Sequence, residues 1–187
     1  GPTIENGFYY DFLTKSAISS EDLPKIEKEM KKIVMEKSEV RKSFHDEKNA
    51  TAKFKKISQD YKVKIIEESD QTNNFQIYEN EDVNFIDLCK GPHLPNLSHI
   101  GVFKLTKVSG AYWKGDSSNE MLTRIYGTAW RNKKELDEYL TQLEEAEKRD
   151  HRRIGKDLDL FSIQEDAGGG LVFWHPKGSR IRSQIEQ

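Results

Sequence analysis

Asp87, Cys89 and His93 place a carboxylate, a thiol and an imidazole within one short stretch, NFIDLCKGPHLPN, from Asn84 to Asn96. Side chains on a strand alternate, so Asp87 and Cys89 can share a face. Three chemistries suit such a grouping. A zinc site needs at least three protein ligands, and four when structural. Cys89 and His93 supply two, and Asp87 a possible third. The remaining histidines, His45, His99, His151 and His175, form no further pair at short spacing. A nucleophilic Cys89 with His93 as its base is the second option. Pro92 restricts how the ring swings back to the sulfur, and no Gly-rich elbow surrounds the thiol. The third reading is a strand end entering a turn, with Cys89 as a small buried hydrophobe.

Other chemical candidates are weaker. Gly168–Gly169–Gly170 lacks the Gly-Lys-Ser/Thr ending of a phosphate loop and reads as a linker. The AYWKGD stretch sets Tyr112 and Trp113 beside Lys114, an arrangement that can stack and pair with RNA. Core burial of these rings is the preferred reading. Lys148, Arg149, His151, Arg152 and Arg153 cluster late in a helical pattern, where cations suit the negative helix end. A solvated helix end is preferred there over an RNA contact.

Elements must position these groups. NGFYYDFL reads as an aromatic strand after a turn, and SSEDLPKIEKEMKKIVMEKS as a helix. Ser19 or Ser20 caps that helix, Pro24 fits its first turn, and Leu23, Ile26, Met30, Ile33 and Val34 form its stripe. A shorter helix is predicted after Ser43 as cap, with Ala50, Phe54 and Ile57 inward. YKVKIIEE reads as a strand, and FQIYENEDVNFIDLC as two strands joined by a polar turn at Asn80 to Asp82. GVFKLTKVSGAYWKG and EMLTRIYGTAW give further strands, broken at Gly110 and Gly115. From Asn132 to about Lys156 the period changes to that of one long amphipathic helix, with Leu136, Tyr139, Leu140, Leu143 and Ala146 as its stripe. Gly155 is a candidate end. LVFWHPKGSRIRSQIEQ reads as a short strand, a turn at Pro176 to Gly178, and a helix to Gln187. The fold class is therefore α+β: a mostly antiparallel sheet with packed helices, followed by a long linker helix.

The bulk properties bound the function. The 187 residues carry 30 basic and 32 acidic side chains, for a net charge of −2. No global positive field exists, so any nucleic-acid contact is local. One cysteine excludes an internal disulfide and fits a reducing, cytoplasmic compartment. No long apolar run suits a membrane span.

Taken together, NGFYYDF, IDLCKGPHLPN, FKLTKVSGAYWKGDSSNEMLTRIYGTAW and KRDHRRIGKDLDLFSIQEDAGGGLVFWHPKGSRI resemble the bacterial threonyl-tRNA synthetases, in this order and over essentially the whole chain. LCKGPH resembles the signature of the second additional domain that these enzymes share with alanyl-tRNA synthetases and free-standing editing proteins. The resemblance implies an editing domain over 1–130, a linker helix and connection over 131–166, and the start of a class II catalytic core over 167–187. It implies hydrolysis of mischarged Ser-tRNA(Thr) at the aminoacyl ester, in an enzyme that ligates threonine to tRNA(Thr) with ATP. A non-catalytic module that binds the acceptor arm is the alternative.

The resemblance also implies roles. Asp87, His93, Lys62 and Cys89 carry the chemistry, and Tyr10, Lys62 and Lys90 contact substrate. In this family an H-x-x-x-H pair stands shortly upstream of NGFYYD and joins the Cys and His of the signature. The chain is expected to start after that pair, leaving Cys89 and His93 as an incomplete metal set. No cofactor is expected in the fragment, and zinc only with the upstream ligands; ATP, magnesium and zinc belong to the parent enzyme. The expected partners are the acceptor end of tRNA(Thr) and the rest of the synthetase chain. The parent is expected to be a homodimer and the fragment a monomer unable to charge tRNA alone.

Overall fold

The computed structural model describes residues 2–164, 168 and 170–186. Of the expected linker, Gly169 and the residues numbered 165–167 lie outside the described residues, as does the expected helix end at Gln187. The chain forms two compact units, 1–132 and 133–187.

The first unit is α+β. In chain order it holds β1 (Thr3–Ile4), β2 (Gly7–Phe12), α1 (Leu23–Met35), β3 (Arg41–His45), α2 (Glu47–Lys56), α3 (Asp60–Glu67), β4 (Phe75–Asn80), β5 (Phe85–Leu88), β6 (Val102–Tyr112) and β7 (Met121–Trp130). The strands make two antiparallel sheets, ordered β1-β2-β7-β6 and β3-β4-β5.

Each sheet buries one face against helix. On the smaller sheet, Phe75 and Ile77 pack with Ala50, Phe54, Val63 and Ile66. On the larger, Leu105 and Ile125 pack with Leu23, and Phe8, Ile26 and Met30 close around them. Full burial of one such side chain contributes about 1.5–3 kcal/mol. Glu27 of α1 is also buried, and its position has a reason. The register of β6 on β7 slips between Leu105 and Lys107, which leaves the ladder short of a bond there. Glu27 Oε1 accepts from the Leu105 N–H at 2.9 Å, and Lys104 lies 3.2 Å from the same carboxylate.

Several sequence expectations hold. β2, α1, β6 and β7 fall where predicted, and so do the paired β4 and β5. Asp22 accepts from the Ser19 N–H at 3.0 Å in the turn that opens α1. Others fail for identifiable reasons. YKVKIIEE is helix, not strand: α2 ends with Ser58 in the left-handed region (φ 55), and α3 begins at Asp60. Val63 and Ile66, three apart, then point into the core, while Ile65 stays 38% exposed. Alternation at Tyr61, Val63 and Ile65 mimicked a strand. Ser43 caps no helix. It lies in β3, and Asp46 caps α2 by accepting from the Asn49 N–H at 2.7 Å. Ile57 is 41% exposed rather than inward. Gly110 does not break β6, since it pairs with Thr123 inside the ladder. Tyr112 is 41% exposed, against the expectation of core burial.

The second unit holds α4 (Lys133–Lys148), α5 (His151–Asp157), β8 (Phe161–Ile163), β9 (Val172–Trp174) and α6 (Pro176–Ile185). The long helix expected over 132–156 is thus two helices. Asp150 causes the break by accepting from the Arg152 N–H at 2.8 Å and capping α5. Gly155 does not end the helix. It is buried in α5, and a Cβ there would lie 2.2 Å from Cε1 of Phe161. The late cations are taken up by local acids: Lys148 and Arg149 by Glu145, Arg152 by Asp150, Arg153 by Asp157. Pro176 to Gly178 is the first turn of α6, not a separate turn. His175 precedes it, with Nδ1 2.7 Å from Asp159 and Nε2 3.0 Å from the Ser162 hydroxyl. This resembles a hydrolytic triad in connectivity. The Asp159 side chain is 76% exposed, however, so it lacks the burial that lets such an acid hold an imidazolium. The array ties the β8–β9 hairpin to the start of α6.

Candidate active site

The site is built on the face of the small sheet turned away from α2 and α3. Asp87 of β5 stands directly opposite Tyr78 of β4, so the two side chains share a face. The Cys89 N–H donates to the Gln76 carbonyl at 3.2 Å and extends the ladder by one residue. Alternation therefore puts Cys89 on the same face, beside Gln76.

Asp87 is 3% exposed and has two partners. Lys62, from α3, brings its ammonium to 2.5 Å of Oδ1. The Tyr10 hydroxyl, from β2 of the larger sheet, donates to the same oxygen at 3.3 Å. The Lys62 ammonium also lies 5.5 Å from the centre of the Tyr10 ring. Electrostatics fix the protonation of both partners. Burial is the largest single influence on Lys62 and would lower its pKa, but Asp87 and then Tyr10 outweigh it, and the net shift is upward. Lys62 is therefore a cation at neutral pH and serves as a donor, not a base. Burial raises Tyr10, with Asp87 adding to the rise and Lys62 opposing it, so Tyr10 stays a phenol.

His93 reaches the site by stacking. Its ring lies 4.0 Å from that of Tyr78, with the planes 12° apart. Gly91 allows this approach: its φ is +69°, and a Cβ there would sit 1.9 Å from the Tyr78 hydroxyl. Burial lowers the His93 pKa, with Asp87 pulling the other way. The imidazole is neutral near pH 7 and free to accept a proton.

The structure thus brings Tyr10, Lys62 and Asp87 into contact and sets His93 on the ring opposite Asp87. Cys89 is half-buried, and its sulfur accepts from the Gly91 N–H at 3.4 Å. Among the described residues no three His, Cys, Asp or Glu side chains gather as a metal set. Cys89 engaged by a backbone N–H and His93 stacked flat on Tyr78 do not make a closed zinc site. Lys90 is exposed and takes part in no ion pair among the described residues.

Sequence reasoning missed Tyr78, Gly91 and Gln76. Tyr78 sits in a continuous strand pattern, and only the β4–β5 register marks it as a site residue. The Gln76 amide oxygen is buried without a hydrogen-bond partner among the described residues, an acceptor open to a donor beside Cys89.

Residues 76–126 match the family described as Threonyl and Alanyl tRNA synthetase second additional domain. The whole chain is 55% identical over 186 residues to a protein of Acidithiobacillus ferrooxidans named Threonine--tRNA ligase, covering 29% of that protein. Proteins of the same name from Nitrosococcus oceani and Magnetococcus marinus are 54% and 53% identical over 186 residues, with 29% and 28% of their lengths covered. The chain spans less than a third of the length of these relatives. No helix among the described residues is long and apolar enough to cross a membrane.

Proposed function

We propose, from its likeness to bacterial threonine–tRNA ligases and the match of residues 76–126 to the second additional domain family, that the chain belongs with the threonyl-tRNA synthetases and that the site around Asp87 hydrolyses the ester of serine mischarged onto tRNA(Thr). Serine is threonine without one methyl. A synthetic pocket built for the larger residue rejects the smaller only about 10- to 200-fold, so a second, hydrolytic site is needed.

The observation that carries this reading is a fixed cation on Asp87 and a neutral imidazole on Tyr78, the residue opposite Asp87 in the sheet. Lys62 spends one of its three donors on Asp87, which leaves donors for the ester carbonyl oxygen as negative charge develops there. Neutral His93 accepts a proton from the attacking water. Hydroxide adds to the carbonyl carbon, the bond from that carbon to the ribose oxygen breaks, and the ribose leaves as a hydroxyl after taking a proton back from His93. Asp87 holds Lys62 in place, and the Tyr10 phenol completes its environment. Tyr10 and Lys90 contact the terminal nucleotide in this reading.

The editing domain is proposed to work within a longer enzyme that joins threonine to tRNA(Thr) using ATP, magnesium and zinc. The acceptor end of tRNA(Thr) is its substrate arm, a dimer its expected state and the cytoplasm its compartment.

The test is release of labelled serine from Ser-tRNA by the chain, with Thr-tRNA as control. Binding of a seryl-adenosine in which an amide replaces the ester is measured in parallel. Faster release from Ser-tRNA than from Thr-tRNA, lost in Lys62→Ala, supports hydrolysis. Analogue binding without any release would favour the acceptor-arm module.

A further inference from the structure

The tip of the β6–β7 hairpin is attached to α3, the helix that carries Lys62. Three contacts make the attachment. Trp113 packs on Tyr61, with ring centres 4.7 Å apart and planes tilted by 49°. The Tyr61 hydroxyl donates to Glu120. The Lys114 ammonium pairs with Glu68. The tip itself is preset: Lys114 and Gly115 both have positive φ, and Asn119 donates from its side chain to the Trp113 carbonyl at 3.1 Å.

Helical geometry says what this attachment can do. Residues turn by about 100° each along a helix. Tyr61 and Glu68, seven apart, point to one side of α3 and meet the hairpin. Val63 and Ile66 point to another side and are buried in the small-sheet core. Lys62 projects between these two anchored sides. The hairpin belongs to the larger sheet, which also supplies Tyr10 through the β2–β7 pairing. Asp87 and Lys62 belong to the smaller sheet and its helices. The site therefore straddles two layers, and the hairpin tip joins those layers a second time at the helix that bears the cation.

We propose that Trp113, Tyr61 and Glu120 are positioning residues for the hydrolytic site, acting as a clamp that fixes the Lys62 ammonium against Asp87 and Tyr10. The inference rests on the hydrolytic reading of that site. It also explains why AYWKG carries aromatic residues at a hairpin tip outside both hydrophobic clusters. Trp113 is spent on Tyr61. The charges facing the tip, Glu68, Glu120 and Lys114, are engaged with partners across this joint.

The clamp is tested with Trp113→Ala, Trp113→Phe and Glu120→Ala. Glu120 is exposed, so its removal leaves the core intact even if Trp113→Ala fails to fold. Two readouts are needed. The first is the Lys62 side-chain carbon resonance, assigned by its absence in Lys62→Arg and titrated with pH. The second is the kcat and KM of serine release, with circular dichroism as the fold control. Trp113→Ala and Glu120→Ala are expected to move the Lys62 titration toward that of an ordinary lysine. They lower kcat about 10- to 100-fold, as small misplacements of a reacting group do, with KM nearly unchanged. Trp113→Phe restores both readouts. Folded Glu120→Ala protein with the parent Lys62 titration overturns the clamp. If no variant, nor the parent, releases serine while the Lys62 titration still moves, the clamp stands and the hydrolytic reading falls.

Discussion

Tyr78 and Asp87 face each other across β4 and β5, so the ring that carries His93 and the carboxylate that holds Lys62 stand side by side on one sheet face. Neither relationship depends on a loop alone. The strand register sets the spacing, and the Gly91 turn brings the imidazole back over it.

Because Asp87 and Lys62 are both largely buried, removing one partner strands the other. Asp87→Ala is expected to lower stability by about 3 kcal/mol, the usual result of breaking a buried pair. Lys62→Met combined with Asp87→Leu should cost less than the sum of the single changes. Urea midpoints of the four proteins check this. Additive losses would show that the pair is not coupled.

For catalysis the order of effects is the discriminating feature. His93→Ala and Lys62→Ala should each slow serine release by about 10²- to 10⁴-fold, the range for one positioned proton-transfer or electrostatic group. Cys89→Ala should cost far less, since its sulfur only accepts a weak bond from the Gly91 N–H. Rates on labelled Ser-tRNA decide it. A Cys89→Ala protein as slow as His93→Ala would make the thiol the reacting group.

Acid should weaken the fold through His93. Its pKa is depressed in the folded state from the ordinary value of 6.5, so the unfolded chain takes up a proton first as pH falls. The stability contribution is complete above pH 6.5 and is lost as pH drops from there through the folded pKa. The rate, which needs neutral imidazole, should stay on its plateau to lower pH than for an exposed histidine. Unfolding of the parent and of His93→Gln from pH 4 to 8, a range of about two units either side of the usual histidine value, makes the comparison. Identical slopes below pH 6.5 would remove His93 from the account.

Gly91→Ala combines two faults, a left-handed φ and a Cβ driven into the Tyr78 hydroxyl. A destabilisation of more than about 1 kcal/mol is expected. Displacement of Tyr78 also carries His93 with it, so serine release should fall even in protein that stays folded. Thermal unfolding and the release rate, measured on the same sample, test both parts.

How legible all this was in the sequence depended on whether the signal was local. β2, α1 and β6–β7 show their period within their own residues, and Asp87–Cys89–His93 is a compact grouping. α3 was misread because YKVKIIEE alternates locally, while its helical state is set by the tight Ser58 turn and by Phe54 waiting for Val63 and Ile66. Asp150 split one apolar stripe into two helices through a single cap bond that periodicity cannot register. Within the site, Lys62 and Tyr10 entered through family resemblance. Tyr78 and Gln76 depend on cross-strand register, which no stretch of sequence read alone contains.

The Tyr10–Asp87 bond spans 77 positions of chain, whereas Lys62 and Asp87 lie within one helix–sheet segment. Contacts close in sequence form at lower entropic cost than distant ones. The cation and carboxylate can therefore meet while the chain is still collapsing, and the phenol arrives only when β2 docks on β7. On that order of events Tyr10 reports completion of the topology. Its hydroxyl should be absent from the folding transition state, so Tyr10→Phe should speed unfolding and leave the folding rate unchanged in stopped-flow refolding. A slowed folding limb would place the Tyr10 contact among the first to form.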